Sequence, residues 1–297
     1  MSRSLTILAL FAGLLAGCAA SPGSALADAA SLGERGPGVG LEVAWWVVED
    51  PFVATADPTV TRLASGPTVR DVLLPYEGRP VPVTAAAAAL WRANGLRLVS
   101  VPRADLAALR RSLRLVGPVQ QQWLGETPRW VEAVRGPKWG GSALLALDNG
   151  PLRLDAGRLR LLVRSWSAPG PGGPDAGVLQ VEIVPQHVLP FAPLPDLAAA
   201  LEPPKPRPSR DAEGVAFERL LLETAFDGVD ALVIVPESPA SATPASEGFE
   251  TAGPDAPMPP TLGEVMLTDT LSGGRRGTRV MVVLIPHAPR TFSLFPG

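Results

Sequence analysis

The chain has 297 residues, of which 46% are hydrophobic and 19% are charged, and its formal net charge is −3. This length and apolar content are enough for a sizeable core, whereas the acidic balance excludes a strongly basic nucleic-acid binder. The single cysteine excludes a disulfide scaffold. Because there are 30 glycines and 34 prolines, we expect long loops without regular structure.

The first 17 residues have the pattern of an export signal. Arg3 supplies a positive charge, and an apolar run follows it at 5–16. A helix of that length spans ~18 Å at ~1.5 Å per residue, which is shorter than the ~30 Å hydrocarbon core of a bilayer. The run therefore predicts a signal peptide over 1–17 rather than a transmembrane anchor.

The apolar run ends in a motif that resembles the lipobox of bacterial lipoproteins, Leu15-Ala16-Gly17-Cys18. In that family the cysteine thiol receives a diacylglycerol and the signal is cut in front of it. The resemblance implies lipidation at Cys18 and a place in the bacterial cell envelope, facing the periplasm or the cell surface. Ala19, after the cysteine, favours the outer membrane. An ordinary secretory signal with an incidental cysteine is the alternative.

A flexible tether and a small α/β unit are predicted next. Residues 18–40 are small, polar and glycine-rich, as is typical of a tether. In the unit at 41–116, the β-branched and aromatic run Leu41–Glu49 predicts a strand. Thr84 is a suitable helix cap and Asn94-Gly95 a suitable stop. The pattern around them predicts a helix over 85–94, a strand over 96–101 and a helix over 103–113.

Residues 117–189 alternate with a period of two, which predicts an antiparallel β region. Gly125–Pro128 and Asn149-Gly150 are typical of hairpin turns. The runs Arg158–Trp166 and Val178–Val184 each place apolar residues on one side. Their other sides carry a row of arginines and a row with glutamate, which favours an antiparallel pair with those rows facing each other on a solvated side.

The last part of the chain predicts a proline-rich linker over 190–212 and a β region over 213–297. Asp227-Gly228 is expected to be a turn between two strands, and the proline-rich loop 236–260 is expected to be disordered. The runs 229–235 and 280–285 are continuously apolar, so they belong in the centre of a sheet. The predicted fold class is α+β: a small α/β unit followed by antiparallel β-sheet hairpins, with long Pro/Gly-rich loops.

The charges are unevenly distributed, with a basic excess over 92–164 and an acidic excess over 196–269. One interpretation is docking to lipid headgroups or to a partner. The other, which we favour, is that the two regions neutralise each other within the fold, because opposite fields on one chain attract.

Catalytic and metal motifs are absent from the sequence. Its two histidines, His187 and His287, each follow a strand and a proline, so we expect strand-end residues that bond to loops. Gly273–Gly277 could form an anion-binding nest, but a hairpin loop is favoured. The acidic pairs Asp227/Asp230 and Glu49/Asp50 have a common spacing and single out no glycosidase site. We therefore predict a protein that is not an enzyme and has no cofactor or metal.

Tryptophan is the one unusual residue type, with seven copies against one tyrosine. Three lie near the first predicted hairpin and are candidate contacts for a sugar, peptidoglycan or a protein partner: Trp123, Trp130 and Trp139. Trp45 and Trp46 are adjacent on a strand and must face opposite ways. The alternative, which we favour, is that these rings fill a core on both faces of a sheet.

The last third of the chain resembles the C-terminal module of bacterial secretin proteins. The resemblance rests on Pro260–Glu264, the loop Gly273–Gly277 and the strand Val280–Ile285 with Pro286-His287 after it, preceded by Gly228–Val235. The doubled Leu-Gly pattern is incomplete and no membrane-spanning hairpin is apparent. The resemblance therefore implies a degenerate, non-pore relative or a fragment used for assembly, rather than a gated channel.

Taken together, these patterns predict a lipid-anchored cell-envelope protein with a structural, scaffold or assembly role. Its predicted partners are a membrane, through the N-terminal lipid, and a protein of the envelope, but no nucleic acid. A lipoprotein that binds carbohydrate or peptidoglycan through exposed tryptophans is the alternative.

Overall fold

The computed structural model describes residues 38–49, 67–171, 176–189, 213–237, 259–267 and 278–292. Several sequence predictions lie outside these residues: the signal peptide with Cys18, most of the tether, the linker, most of the loop 236–260, Asp50 and Gly273–Gly277. The chain from Val39 onward forms one unit. No helix among the described residues is long and apolar enough to cross a membrane.

The described part is built mainly of strands. They are β1 (Gly40–Glu49), β2 (Leu96–Pro102), β3 (Gln120–Gly125), β4 (Thr127–Trp139), β5 (Ala143–Leu147), β6 (Gly150–Leu154), β7 (Gly157–Pro169), β8 (Gly177–Val188), β9 (Val215–Ala216), β10 (Leu222–Phe226), β11 (Asp230–Pro236) and β12 (Thr278–His287). The α-helices are short: α1 (Val69–Leu73), α2 (Ala85–Ala93), α3 (Leu106–Ser112) and α4 (Leu262–Met266). Single 3₁₀ turns lie at Leu74–Tyr76, Arg103–Asp105 and Glu218–Leu220. The α+β class is confirmed.

The first sheet has five antiparallel strands in the order β2-β11-β12-β1-β3. The two continuously apolar runs form β11 and β12, which are interior strands, as predicted. The first sheet also takes strands from each of the three predicted folded regions, 41–116, 117–189 and 213–297.

The second sheet has the order β10-β8-β7-β4, and β9 pairs with β8. The predicted pairing of the arginine and glutamate rows is confirmed, since Arg164 lies opposite Glu182 in the β7–β8 register. The prediction of a solvated side is wrong, because Arg160 and Glu182 are buried in a network of ion pairs. The apolar sides of these strands, for example Leu161 and Val181, are fully buried. The predicted hairpin at Asn149-Gly150 is also confirmed and forms the separate pair β5–β6.

One predicted hairpin is wrong. β3 and β4 flank Gly125–Pro128, but β3 pairs with β1 in the first sheet and β4 pairs with β7 in the second. The predicted turn at Asp227-Gly228 does lie between two strands, and there the chain passes from β10 in the second sheet to β11 in the first. Both turns therefore carry the chain between the two sheets.

The first sheet is covered on both faces. One face packs against the second sheet through residues such as Val43, Leu98 and Leu284. The other face packs against α1 and α3 through residues such as Trp46 and Val99. Both adjacent tryptophans are therefore accommodated, and the Trp45 Nε1–H donates to the Ala133 carbonyl of the second sheet at 2.6 Å.

Ion pairs join the basic and acidic regions of the sequence, as the favoured interpretation predicted. Arg160 contacts Glu213 at 3.0 Å, and Arg92 contacts Glu237 at 3.2 Å. Arg160 is almost fully buried and also donates to Gln186 and Glu132. Part of the charge asymmetry is thus neutralised within the fold.

Candidate functional site

Trp123 is the most exposed of the three candidate tryptophans. It lies on β3 opposite Glu42 of β1, and 42% of its surface is accessible. The edge of its ring meets His287, with 5.0 Å between the ring centroids. A flat apolar surface is therefore available next to a polar cluster at one edge of the first sheet.

Both ring nitrogens of His287 are occupied. Nε2 lies 3.1 Å from Glu42 Oε2, and Nδ1 lies 3.4 Å from Arg103 Nη2. A guanidinium can only donate, so Nδ1 accepts and Nε2 carries the proton that it donates to Glu42. Burial lowers the pKa of His287, which favours this neutral ring. The cluster of Glu42, His287 and Arg103 joins the ends of several strands, because Arg103 also donates to the Gly228 carbonyl, before β11, and to the Pro286 carbonyl of β12.

Trp139 and His187 stack on each other over a glycine. Their centroids are 5.6 Å apart with an interplanar angle of 12°, and Trp139 donates to the Asp155 carbonyl at 2.9 Å. Gly157 lies opposite Trp139, and a Cβ there would overlap His187 Nε2. The buried Nε2 has no hydrogen-bond partner, and burial lowers the pKa of His187. The Trp139–His187 pair therefore packs the end of β4 against the end of β8.

Trp130 belongs to a third, separate environment. The guanidinium of Arg164 lies 4.7 Å from the Trp130 ring centroid and 5.4 Å from that of Trp166, and it is paired with Glu182 at 2.5 Å. Trp130 and Trp139 are also nine positions apart on β4, or roughly 30 Å at ~3.3 Å per residue. The structure therefore does not bring the three candidate tryptophans together.

The acidic pair that lies wholly within the described residues, Asp227/Asp230, is engaged by its own neighbours. Asp227 accepts from the Val229 amide at 2.9 Å, and Asp230 accepts from Arg79 and from the Ser100 hydroxyl. Each carboxylate is thus used by a turn or a strand.

The described residues form a cleft of about 410 Å³ along the outer edge of β2. We call it the β2 cleft. Its floor is the strand edge at 97–100, one wall is α2, and the other wall is the segment 76–81. The wall residues are Tyr76, Glu77, Gly78, Arg79, Val81, Ala85, Ala88, Ala89 and Arg92. This volume is within the ~300–1,000 Å³ that is usual for ligand sites.

The floor of the cleft is an open strand edge. β2 pairs with β11, and two backbone hydrogen bonds at the ends of this pairing show which residues bond across it: Arg103 N–H to the Val229 carbonyl and Glu237 N–H to the Gly95 carbonyl. The backbone N–H and C=O groups of the odd-numbered residues of β2 therefore bond to β11. Those of the even-numbered residues point away from β11, toward the outer edge of the sheet. The N–H and C=O groups of Leu98 and Ser100 face the cleft, and no described strand bonds to them.

Each guanidinium group in the lining of the cleft is paired with a carboxylate. Arg97 pairs with Glu77, which also lines the cleft. The carboxylates that pair with Arg79 and Arg92 are Asp230, on β11, and Glu237, which follows it, each at 3.2 Å. Burial raises the pKa of Tyr76, so its phenol is a neutral donor on the wall formed by 76–81. The walls of the cleft are therefore polar, and their charges are balanced.

Sequence reasoning missed the β2 cleft. The polar residues Arg97 and Ser100 interrupt an otherwise apolar strand, and the alanine run of α2 leaves a wall with little side-chain bulk. These patterns could have marked an unusual edge, but strand order was needed to place them there.

The described residues contain no group of three His, Cys, Asp or Glu side chains that could hold a metal ion. Comparison of the chain with protein-family models, with curated proteins and with solved structures finds no match.

Proposed function

We propose that this protein is a lipid-anchored cell-envelope component with a scaffold or assembly role, and that it holds a protein partner in the β2 cleft. The observation that carries the proposal is the cleft itself: a strand edge to which no described strand pairs, between two walls that carry ion-paired arginines. The lipobox motif at Leu15–Cys18 supports the anchor, and the resemblance of the last third to the secretin C-terminal module supports a role in assembly.

A polypeptide fits this cleft better than a small substrate does. Its floor offers main-chain donors and acceptors, which is the arrangement that strand-binding domains use. Ala85, Ala88 and Ala89 leave space beside the strand. The titratable groups are held by each other, as in the Arg97–Glu77 and Arg79–Asp230 pairs. The proposed activity is therefore binding.

Site-specific photo-crosslinking tests the partner site. A crosslinking residue at Ala89 lies on the cleft wall, whereas Ala86 is an exposed alanine of the same helix outside the lining. In the envelope of the bacterium that carries the protein, we expect a discrete crosslinked species from position 89 and none from position 86. Equal labelling from both positions, or none from 89, would reject the cleft as the partner site.

The anchor has a separate test. Mass spectrometry of the mature protein should find Cys18 as the first residue, carrying a diacylglyceryl group. Cys18→Ser should move the protein from the membrane fraction to the soluble fraction. A native chain that begins at Met1, or that carries a free thiol at Cys18, would refute the lipid anchor.

Carbohydrate binding remains the second candidate, because Trp123 exposes a flat ring next to the Glu42–His287 pair. Retention on purified peptidoglycan should then fall for Trp123→Ala. Trp130→Ala and Trp139→Ala serve as controls, since those rings are engaged by Arg164 and His187. Unchanged retention in Trp123→Ala would remove this candidate.

A further inference from the structure

We infer that one end of the first sheet rests on the surface of the membrane that holds the lipid anchor, with Trp123 at the level of the lipid headgroups. This inference rests on the anchor of the proposed function and adds the orientation of the folded unit on the bilayer. The contact surface consists of Val39, Trp123 and Val229, which we call the Trp123 patch. Their accessible fractions are 38%, 42% and 64%.

Trp123 and Val229 flank His287 at this end of the sheet. His287 is the last residue of β12, and the ring of Trp123 on β3 meets it edge-on, with 5.0 Å between the centroids. On the other side, Leu232 of β11 lies opposite Leu284 of β12. Continued by three residues, this register places Val229 next to His287, on the same face of the sheet. The tryptophan, the histidine and the valine therefore form a row across the strand ends.

The same face of the sheet is covered further along its strands. There α1 and α3 bury residues of β11 and β12 such as Ala231 and Val283. Ala231 is 1% exposed, whereas Val229, which lies two residues earlier and projects to the same side, is 64% exposed. The helices thus end short of the row. Isolated exposed apolar residues are common, but an uncovered row of them that includes a tryptophan favours a contact surface.

The patch exposes apolar groups, because its polar neighbours are bonded to one another. His287 donates to Glu42 and accepts from Arg103, and Glu42 is only 8% exposed. One carboxylate and one guanidinium also balance in charge. A sugar site would need polar groups whose hydrogen bonds are still available. An indole ring, with its apolar body and single N–H donor, is instead the side chain that membrane–water interfaces favour.

The connection to the lipid anchor reaches the folded unit at this same end. The chain enters β1 at Val39, and the next residue, Gly40, pairs with His287. For a tether such as the sequence predicts over 18–40, the root-mean-square span is ~25 Å. β4 begins directly after β3 at this end, and it extends ~40 Å at ~3.3 Å per residue to the opposite end. The Trp123 patch is therefore held nearer the bilayer, where even a weak contact is enough to orient a unit that the lipid already concentrates there.

The opposite end of the molecule supplies matched controls. Trp139 is the last residue of β4 and stacks on His187, near the end of β8. Val215 of β9 lies opposite His187 and is 71% exposed, slightly more than Val229. This end thus has a tryptophan and an exposed valine of its own, but the chain that leads to the anchor does not enter there.

The experiment places the full mature chain, lipidated at Cys18, in vesicles of phosphatidylcholine with brominated acyl chains, because bromine quenches tryptophan at short range. We expect part of the emission to be quenched relative to vesicles without bromine. Trp123→Phe should remove more than half of this quenching, whereas Trp139→Phe should leave it unchanged. Since the charges around the patch balance, adding phosphatidylglycerol should not alter the quenching. Quenching that Trp139→Phe removes instead, or that requires phosphatidylglycerol, would overturn the inference.

Two lysine variants test the patch without altering a tryptophan. Both positions are exposed, so the stability of each variant in urea should match that of the parent. Val229→Lys would place a strongly hydrated ammonium group against the bilayer, and it should reduce the quenching of Trp123 at least twofold. Val215→Lys, at the opposite end, should leave the quenching unchanged. Equal effects of the two substitutions would contradict the proposed orientation.

A further arm separates failure of the inference from failure of the anchor. The chain has a single cysteine, so the unlipidated chain from Cys18 onward can be coupled through this thiol to a maleimide phospholipid in the same vesicles. If the native protein carried no lipid but the coupled chain still showed quenching that depends on Trp123, the patch would stand and the native anchor would fail. If the lipidated chain floated with the vesicles while Trp123 stayed unquenched, the anchor would stand and the inference would be overturned. Loss of peptidoglycan retention in Trp123→Ala would then assign the ring to a sugar.

Discussion

Gly95→Ala is expected to destabilise the protein by about 2–4 kcal/mol. Gly95 joins α2 to β2, the wall and the floor of the cleft, and its φ of +78° lies in the left-handed region. A Cβ at this position would also overlap the side chain of Thr261. The substitution therefore combines backbone strain with a steric clash.

The magnitude can be divided between these two causes. An L-residue in the left-handed region costs ~1–2 kcal/mol, and overpacking costs ~1–3 kcal/mol. Alanine also lowers the conformational entropy of the unfolded chain, and this offsets ~0.4–1 kcal/mol of the destabilisation. Thr261 is poorly able to move, because its hydroxyl accepts from the Glu264 amide at 3.3 Å and its own amide donates to the Glu264 carboxylate at 3.0 Å.

Gly117→Ala is the matched control. Its φ is +83°, but a Cβ there would meet no atom within 4 Å, so only backbone strain remains. We expect a loss of ~1 kcal/mol for this variant. Gly263→Ala isolates the clash, since a Cβ would overlap the Gly95 carbonyl without a positive φ.

Urea denaturation followed by tryptophan fluorescence measures these differences, with the slope m checked for each variant. The expected order of destabilisation is Gly95→Ala above Gly117→Ala, with Gly263→Ala also destabilising. If Gly95→Ala cost no more than Gly117→Ala, the close approach of α4 to the α2–β2 turn would be refuted. The same variant should weaken partner binding, because that turn sets the spacing between wall and floor.

Three other perturbations have defined outcomes. Trp91→Phe removes the indole donor to the Leu220 carbonyl, a bond of 3.0 Å in the core, and should cost ~1–3 kcal/mol in urea. Arg160→Met removes a nearly buried cation from Glu213 and one of the cations from Glu132, which keeps Arg135, and should cost ~1–3 kcal/mol in the same assay. Both histidines have pKa values lowered by burial, so the unfolded chain binds more protons and stability should fall as pH drops through ~6.5 and below.

Each of these has a contradicting result. A cost below ~0.5 kcal/mol for Trp91→Phe would show that the indole bond contributes little. An Arg160→Met variant as stable as the parent would show that the Arg160 cluster is replaceable by apolar packing. For the histidines, the double variant His187→Gln/His287→Gln should lose less stability between pH 7 and pH 5 than the parent. An unchanged pH profile would contradict the assigned neutral rings.

The elements that the sequence predicted correctly are those with local causes. The α2 helix begins where the Thr84 hydroxyl accepts from the Ala87 amide at 3.2 Å, and it ends at Asn94-Gly95. The β7–β8 pair follows from alternation alone, because a shift of one residue would exchange Leu161 and the arginines between the apolar core and the ion-paired side of the sheet. Periodicity and capping are sufficient where neighbours in sequence are also neighbours in space.

The missed features depend on contacts between distant parts of the chain. The turn residues at Gly125–Pro128 do lie between two strands, but they do not determine which strand each of these pairs with. Exposure of the tryptophans is equally non-local, since Arg164 on β7 covers the ring of Trp130 on β4. Only Trp123 keeps the exposed ring that a sugar contact would require.

The sheet edges differ in how they are protected. Among the described strands, β4 carries Pro128 and Pro137 and has three register shifts against β7, features that oppose further pairing. β3 is short, exposed along most of its length and shifted in register against β1. The edge of β2 has no shift against β11, and instead of a proline or a bulge it has a walled cleft. Because α2 and the segment 76–81 cover this edge, neighbouring segments protect it against pairing with an unselected strand.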